Sequence, residues 1–120
     1  KHIEDDILVT VRIIKDFNDM IAMNPDMKMV YQYIVYRRIL SIYKINLIKR
    51  GLLDNQYLLK FDRELKTLAP ELYEMVGKKK TSKILLPFPY INIWRKNPNG
   101  VFAKILVRVA KFVLFKLKRK

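Results

Sequence analysis

Cysteine is absent from this 120-residue chain, which excludes a disulfide framework, a thiolate metal site and a cysteine nucleophile, and leaves the redox compartment open. Histidine occurs once, as His2, so no multi-histidine metal site can form. The three glycines, Gly51, Gly77 and Gly100, stand too far apart for a phosphate-cradling loop of the kind that needs clustered glycines. No apolar run reaches the roughly 20 uninterrupted residues that a membrane-spanning helix needs, and no internal repeat occurs. The last absence is of one sign of charge: from Met75 to Lys120 there is no Asp or Glu.

What is present has the composition of one small folded domain, 51% hydrophobic and 30% charged. The formal net charge is +14, and it is unevenly placed. Residues 1–74 carry 12 basic and 11 acidic groups, whereas residues 75–120 carry 13 basic groups and none acidic. Such asymmetry points to an anionic partner for the second part, either phospholipid headgroups or nucleic acid phosphates. Basic residues interleaved with Phe, Val and Leu do not make a simply solvated face.

Apolar residues at Ile7, Val11, Ile14, Phe17 and Ile21 recur at helical spacing behind Asp5 and Asp6, whose charges suit a helix N-terminus; a first helix is expected from about Asp5 to Met23. Asn24 and Pro25 mark a stop and a new start. A second helix is expected from Met27 to Lys49, closed by Gly51, with a strand over Met29 to Val35 as the alternative because of its Val, Ile and Tyr content. Asp54 is the expected cap of a third helix reaching Leu68, and Pro70 opens a short fourth, Glu71 to Val76, ended by Gly77. Residues 78–83 read as a polar linker. Pro87 and Pro89, two apart, predict an extended path from Ile84 to Trp94. Asn97 to Gly100 is a turn cluster, and a last helix runs from Val101 to about Lys118. The expected fold is mainly α: a small helical bundle over 1–77, a basic and aromatic connecting stretch over 78–100, and an amphipathic helix over 101–120. Its core is expected to hold Ile14, Phe17, Ile21, Val30, Ile34, Leu58, Phe61 and Leu65.

On a helical wheel, Lys104, Arg108, Lys111, Lys118 and Arg119 share one narrow sector, and Phe102, Ile105, Leu106, Val109, Phe112, Val113, Leu114 and Leu117 fill the remainder, with Phe115 breaking the basic stripe. That is the layout of a helix lying in a membrane interface. Three cations inside the apolar run argue against spanning, since each costs about 2.5–3.5 kcal/mol at the bilayer centre. Trp94, Arg95 and Lys96, an aromatic beside cations, are expected at the headgroup level. The alternatives left open are packing of this helix onto the bundle or onto a second copy, and contact with nucleic acid, which the breadth of the apolar face disfavours.

Two further blocks stand out. Glu4, Asp5 and Asp6 open the first helix, and Tyr31-Gln32-Tyr33-Ile34-Val35-Tyr36-Arg37-Arg38-Ile39-Leu40-Ser41-Ile42 follows about thirty residues later. Together they resemble the tail of a bacterial family 2 glycosyltransferase, the inverting type that uses nucleotide sugars. The resemblance implies that Asp5 is the base that activates the acceptor hydroxyl, with Glu4 its companion, since a carboxylate can take that proton as the oxygen attacks the anomeric carbon. It implies that Arg37 and Arg38 assist the diphosphate leaving group. It also implies that the nucleotide-binding sheet and its divalent metal site belong to an N-terminal catalytic portion outside these residues, that this stretch alone is inactive, binding no cofactor or metal itself, and that its basic end rests on the cytoplasmic face of the cell membrane. The alternative is a stand-alone basic helical module that binds nucleic acid or a protein partner.

Overall fold

The computed structural model describes residues 2–50, 55–79, 89–98 and 100–119. Among these residues there are α-helices α1 (His2–Met23), α2 (Lys28–Tyr43), α3 (Gln56–Leu68), α4 (Pro70–Gly77), α5 (Tyr90–Lys96) and α6 (Val101–Arg119), and no strand. A 3₁₀ turn, Pro25–Met27, joins α1 to α2, and α2 runs directly into a π-helix, Lys44–Lys49. The mainly helical bundle expected from the sequence is the observed fold, and the alternative strand at Met29 to Val35 lies inside α2.

Local chemistry accounts for the starts. Asn55, not Asp54, caps α3: its Oδ1 accepts from the backbone N–H of Tyr57 at 2.9 Å and of Leu58 at 3.4 Å, satisfying two of the orphan donors of the first turn. Asp54 and Gly51 lie outside the described residues. Pro70 sits at the first position of α4, where its missing N–H is no loss. Asn24 precedes Pro25 without making a side-chain cap.

α1 packs along α2 and α3, α4 against both α2 and α3, α5 against α4, and α6 against α5 and the π-helix. Ile7, Ile14 and Phe17 of α1 meet Leu58, Phe61 and Leu65 of α3 in a continuous core that reaches Tyr90, Ile91 and Trp94 of α5 and Leu106 of α6. The expected core is right for α1 and α3 and wrong for α2. Val30 and Ile34 are 51% and 59% exposed, and α2 buries Val35, Ile39, Ile42 and Tyr43 instead. The π-helix then buries three successive residues, Asn46, Leu47 and Ile48. Polar ties fix the helix ends: Asn18 Nδ2 donates to the Leu68 carbonyl at 2.9 Å, an otherwise orphaned acceptor at the end of α3. Glu71 accepts from Gln32 at 2.9 Å and Lys28 at 3.3 Å, binding α4 to the start of α2.

The extended path expected from Ile84 to Trp94 is corrected over its second part. Residues 84–88 lie outside the described set, but Tyr90–Lys96 is helical, with Pro89 immediately before its first residue. A proline restricts itself and the residue before it; it leaves the next residues free to turn into a helix.

Candidate functional site

Asp6 from the first turns of α1, Arg38 and Ser41 from α2, Asn46 from the π-helix and Arg50 after it line a cleft of about 250 Å³, with Ile42 and Ile45 as its apolar lining. Thr10, fully buried, sets the spacing of the two walls. Its hydroxyl donates to the Asp6 carbonyl at 2.7 Å and accepts from Arg38 Nε at 3.1 Å, tying the α2 arginine to the backbone of the α1 acidic turn. The π-helix forms the third side. Its last bond, from Arg50 N–H to the Ile45 carbonyl at 3.0 Å, spans five residues rather than four. Asn46 is 4% exposed; its amide nitrogen donates to the Ile42 carbonyl at 2.7 Å, while its Oδ1 has no partner. A second cleft, about 230 Å³, lies between α1, α2 and α4, but its polar groups are paired with one another: Asn18 with the Leu68 carbonyl, Gln32 and Lys28 with Glu71.

Of the four residues given catalytic or leaving-group roles in the sequence, only Arg38 lines the cleft; the carboxylate there is Asp6, while Glu4 and Asp5 are exposed and outside the lining. Arg37 points away, its guanidinium 5.9 Å from the centroid of the Tyr33 ring on the same helix. Asn46 and Arg50 were not anticipated, because no residue pattern announces a π-helix. Among the described residues no group of three or more His, Asp or Glu side chains gathers to hold a metal ion.

Trp94 and Arg95 are not at a surface. Trp94 is 1% exposed and stands edge-on to Tyr43, with ring centroids 6.0 Å apart. Arg95 Nε pairs with Asp62 Oδ1 at 2.7 Å, its Nη1 donates to the Tyr73 carbonyl at 2.9 Å, and its guanidinium lies 3.6 Å from the Tyr73 ring centroid. Tyr43 completes the cluster by donating to Asp62 Oδ1 at 2.5 Å. Burial, with Asp62 beside it, pushes the Tyr43 hydroxyl well above the usual tyrosine range, and burial does the same to Tyr90. The expectation that Trp94 and Arg95 lie among headgroups is thereby corrected: an aromatic ring beside a cation is here an internal stacking pair. Lys96, at the end of α5, is exposed.

α6 has three sides. Ala103 and Leu106 pack inward. Val101, Ile105, Val109 and Phe112, at helical spacing, are 72%, 54%, 43% and 54% exposed. Lys104, Arg108 and Lys111 are exposed along the adjoining stripe, and Phe115 among them is 60% exposed. Lys118 and Arg119 fall on the same helix, their side chains outside the described set. Among the described residues no helix is long and apolar enough to cross a membrane. Comparison with family models, with curated proteins and with solved structures finds no match.

Proposed function

We propose that this chain is the C-terminal, membrane-contacting portion of a glycosyltransferase that moves a sugar from a nucleotide-sugar donor in cell-surface polysaccharide synthesis, held peripherally at the cytoplasmic face of the bacterial membrane. The observation that carries the reading is the layout of α6: its exposed apolar stripe is distinct from the side that packs on the bundle and lies directly beside the stripe of Lys104, Arg108 and Lys111. A helix used only for packing has no need of four large apolar side chains in solvent; a helix at an interface places them in the acyl boundary and its cations among phosphates. The enzymatic part rests on the resemblance, and the meeting of Asp6 and Arg38 in one cleft supports it, since acceptor activation and leaving-group stabilisation need a carboxylate and a cation near each other. The nucleotide-sugar site and its metal belong to the proposed upstream portion.

Vesicle flotation tests the membrane part. The chain is expected to float with phosphatidylglycerol vesicles and not with phosphatidylcholine. Replacing Lys104, Arg108 and Lys111 by Gln should weaken binding about a hundredfold, at about 1 kcal/mol per cation. Failure to float, together with nucleic acid binding that falls steeply with salt, overturns the reading. In an enzyme carrying the upstream portion, Asp5→Asn and Asp6→Asn separate the two candidate bases; full transfer activity in both removes the α1 turn from the mechanism.

A further inference from the structure

The cleft beside the π-helix contains two kinds of polar group that a single ligand must satisfy together. Arg38 and Arg50 supply positive charge, and neither forms an ion pair among the described residues. Arg38 spends its Nε on Thr10, which fixes its direction and leaves its terminal nitrogens as a fork of donors suited to phosphate oxygens. Against these stand two acceptors, the Asp6 carboxylate and the unpartnered Asn46 Oδ1. An acceptor buried to 4% exposure without a donor is costly, about 1–3 kcal/mol, and Asn46 is one of the residues that line the cleft. A bare phosphate would suit the arginines and meet only repulsion from Asp6 and Asn46. A sugar without phosphate would leave both cations idle.

We propose that the cleft binds a phosphate ester that carries hydroxyl groups, its phosphate held by Arg38 and Arg50 and its hydroxyls donating to Asp6 and, as the Asn46 side chain turns toward the cleft, to Asn46 Oδ1. The size agrees: about 250 Å³ lies below the roughly 300–1,000 Å³ of pockets that enclose a drug-sized ligand, so a headgroup or a small sugar phosphate fits. The π-helix is the device that makes the site, since its wide last turn carries both Asn46 and Arg50 to the cleft. The proposal goes beyond the membrane reading and does not depend on α6. The same chemistry is offered by a phosphatidylglycerol headgroup and by a free phosphate ester.

Titration of the isotopically labelled full chain with glycerol 3-phosphate and with methyl phosphate, read at the Arg38 and Arg50 Nε and Asn46 amide resonances, tests it. Saturable shifts are expected with both, about tenfold tighter for glycerol 3-phosphate, the worth of one good hydrogen bond. Arg50→Gln and Arg38→Gln should each weaken binding about tenfold. Asn46→Leu should preserve the melting temperature and bring the two affinities to near parity. Displacement of glycerol 3-phosphate by phosphatidylglycerol vesicles identifies a lipid source, and binding indifferent to vesicles identifies a soluble ester; both support the site. No saturation with any of these probes, or an unchanged preference in Asn46→Leu, overturns it. A chain that floats with vesicles yet shows no saturation rejects the cleft and leaves the membrane reading standing.

Discussion

Removing Asp62 should expose how far the fold depends on one buried charge. Its side chain is 14% exposed and that of Arg95 8%, so their 2.7 Å pair is little screened by solvent. Asp62→Ala leaves the Arg95 guanidinium buried with the Tyr73 carbonyl and ring, Asn92 Oδ1 and the Tyr43 ring as remaining company, and leaves the Tyr43 hydroxyl without its acceptor. Breaking a buried pair by removing one partner costs about 3–5 kcal/mol, and an orphaned buried hydroxyl adds about 1 kcal/mol; the contacts that Arg95 keeps to Tyr73 place the expected loss near the lower bound, about 4 kcal/mol in all. A domain of this length has a total stability of roughly 6–18 kcal/mol, so the variant is expected to melt about 15 °C lower. Urea and thermal unfolding followed by circular dichroism measure it. Replacing both partners, Asp62→Leu with Arg95→Met, should recover most of the loss, because no charge is then left buried. A loss under about 1 kcal/mol for Asp62→Ala, or a double variant as unstable as the single one, refutes the reasoning.

Three further outcomes follow from the same packing. Asn55→Ala should cost about 1 kcal/mol in unfolding experiments, because the first turn of α3 loses its side-chain acceptor. Gly77→Ala should destabilise by about 1–3 kcal/mol despite the better helix propensity of alanine, because its methyl group would collide with the Asn92 side chain and the Arg95 guanidinium where α4 meets α5. Alkaline pH should destabilise the fold: Tyr43 and Tyr90 keep their protons when buried, whereas unfolded tyrosines ionise near pH 10, so their stabilisation is complete below about pH 10 and falls above it by about 1.4 kcal/mol per unit for each tyrosine. Tyr43→Phe and Tyr90→Phe should flatten that fall in pH-dependent unfolding.

The elements were largely legible and their facing was not. α1 and α3 carry one apolar stripe each, and periodicity placed their core residues, while Pro70 and Gly77 marked the ends of α4. α2 has apolar residues on every side, Met29, Val30, Tyr33 and Ile34 as much as Val35, Ile39 and Ile42, so spacing alone could not choose which side packs. Contact with α1 and α4 chose the second set. The cleft was half legible for a similar reason. Asp6 and Arg38 belong to blocks that their residue types single out, but Asn46 and Arg50 reach the cleft through a change of helix pitch that no local pattern encodes.

The acid-free stretch from Met75 onward is divided by the fold in a way charge counting could not foresee. Its one cation with a described carboxylate partner is Arg95, and that partner, Asp62, comes from the balanced part of the chain. The pair draws α5 onto α3 and α4, which is why Trp94 is buried where the sequence suggested a surface anchor. α6 packs against α5 and the π-helix, so the internal use of Arg95 orients the helix whose exposed cations are Lys104, Arg108 and Lys111. Electrostatics therefore acts twice in this half: once in a dry setting, where a specific pair fixes geometry, and once in solvent, where unspecific positive charge sits beside an exposed apolar stripe. Salt separates the two, because screening weakens exposed charges and hardly touches buried ones. High salt should loosen vesicle binding through α6 while the melting temperature, set in part by Arg95 and Asp62, holds.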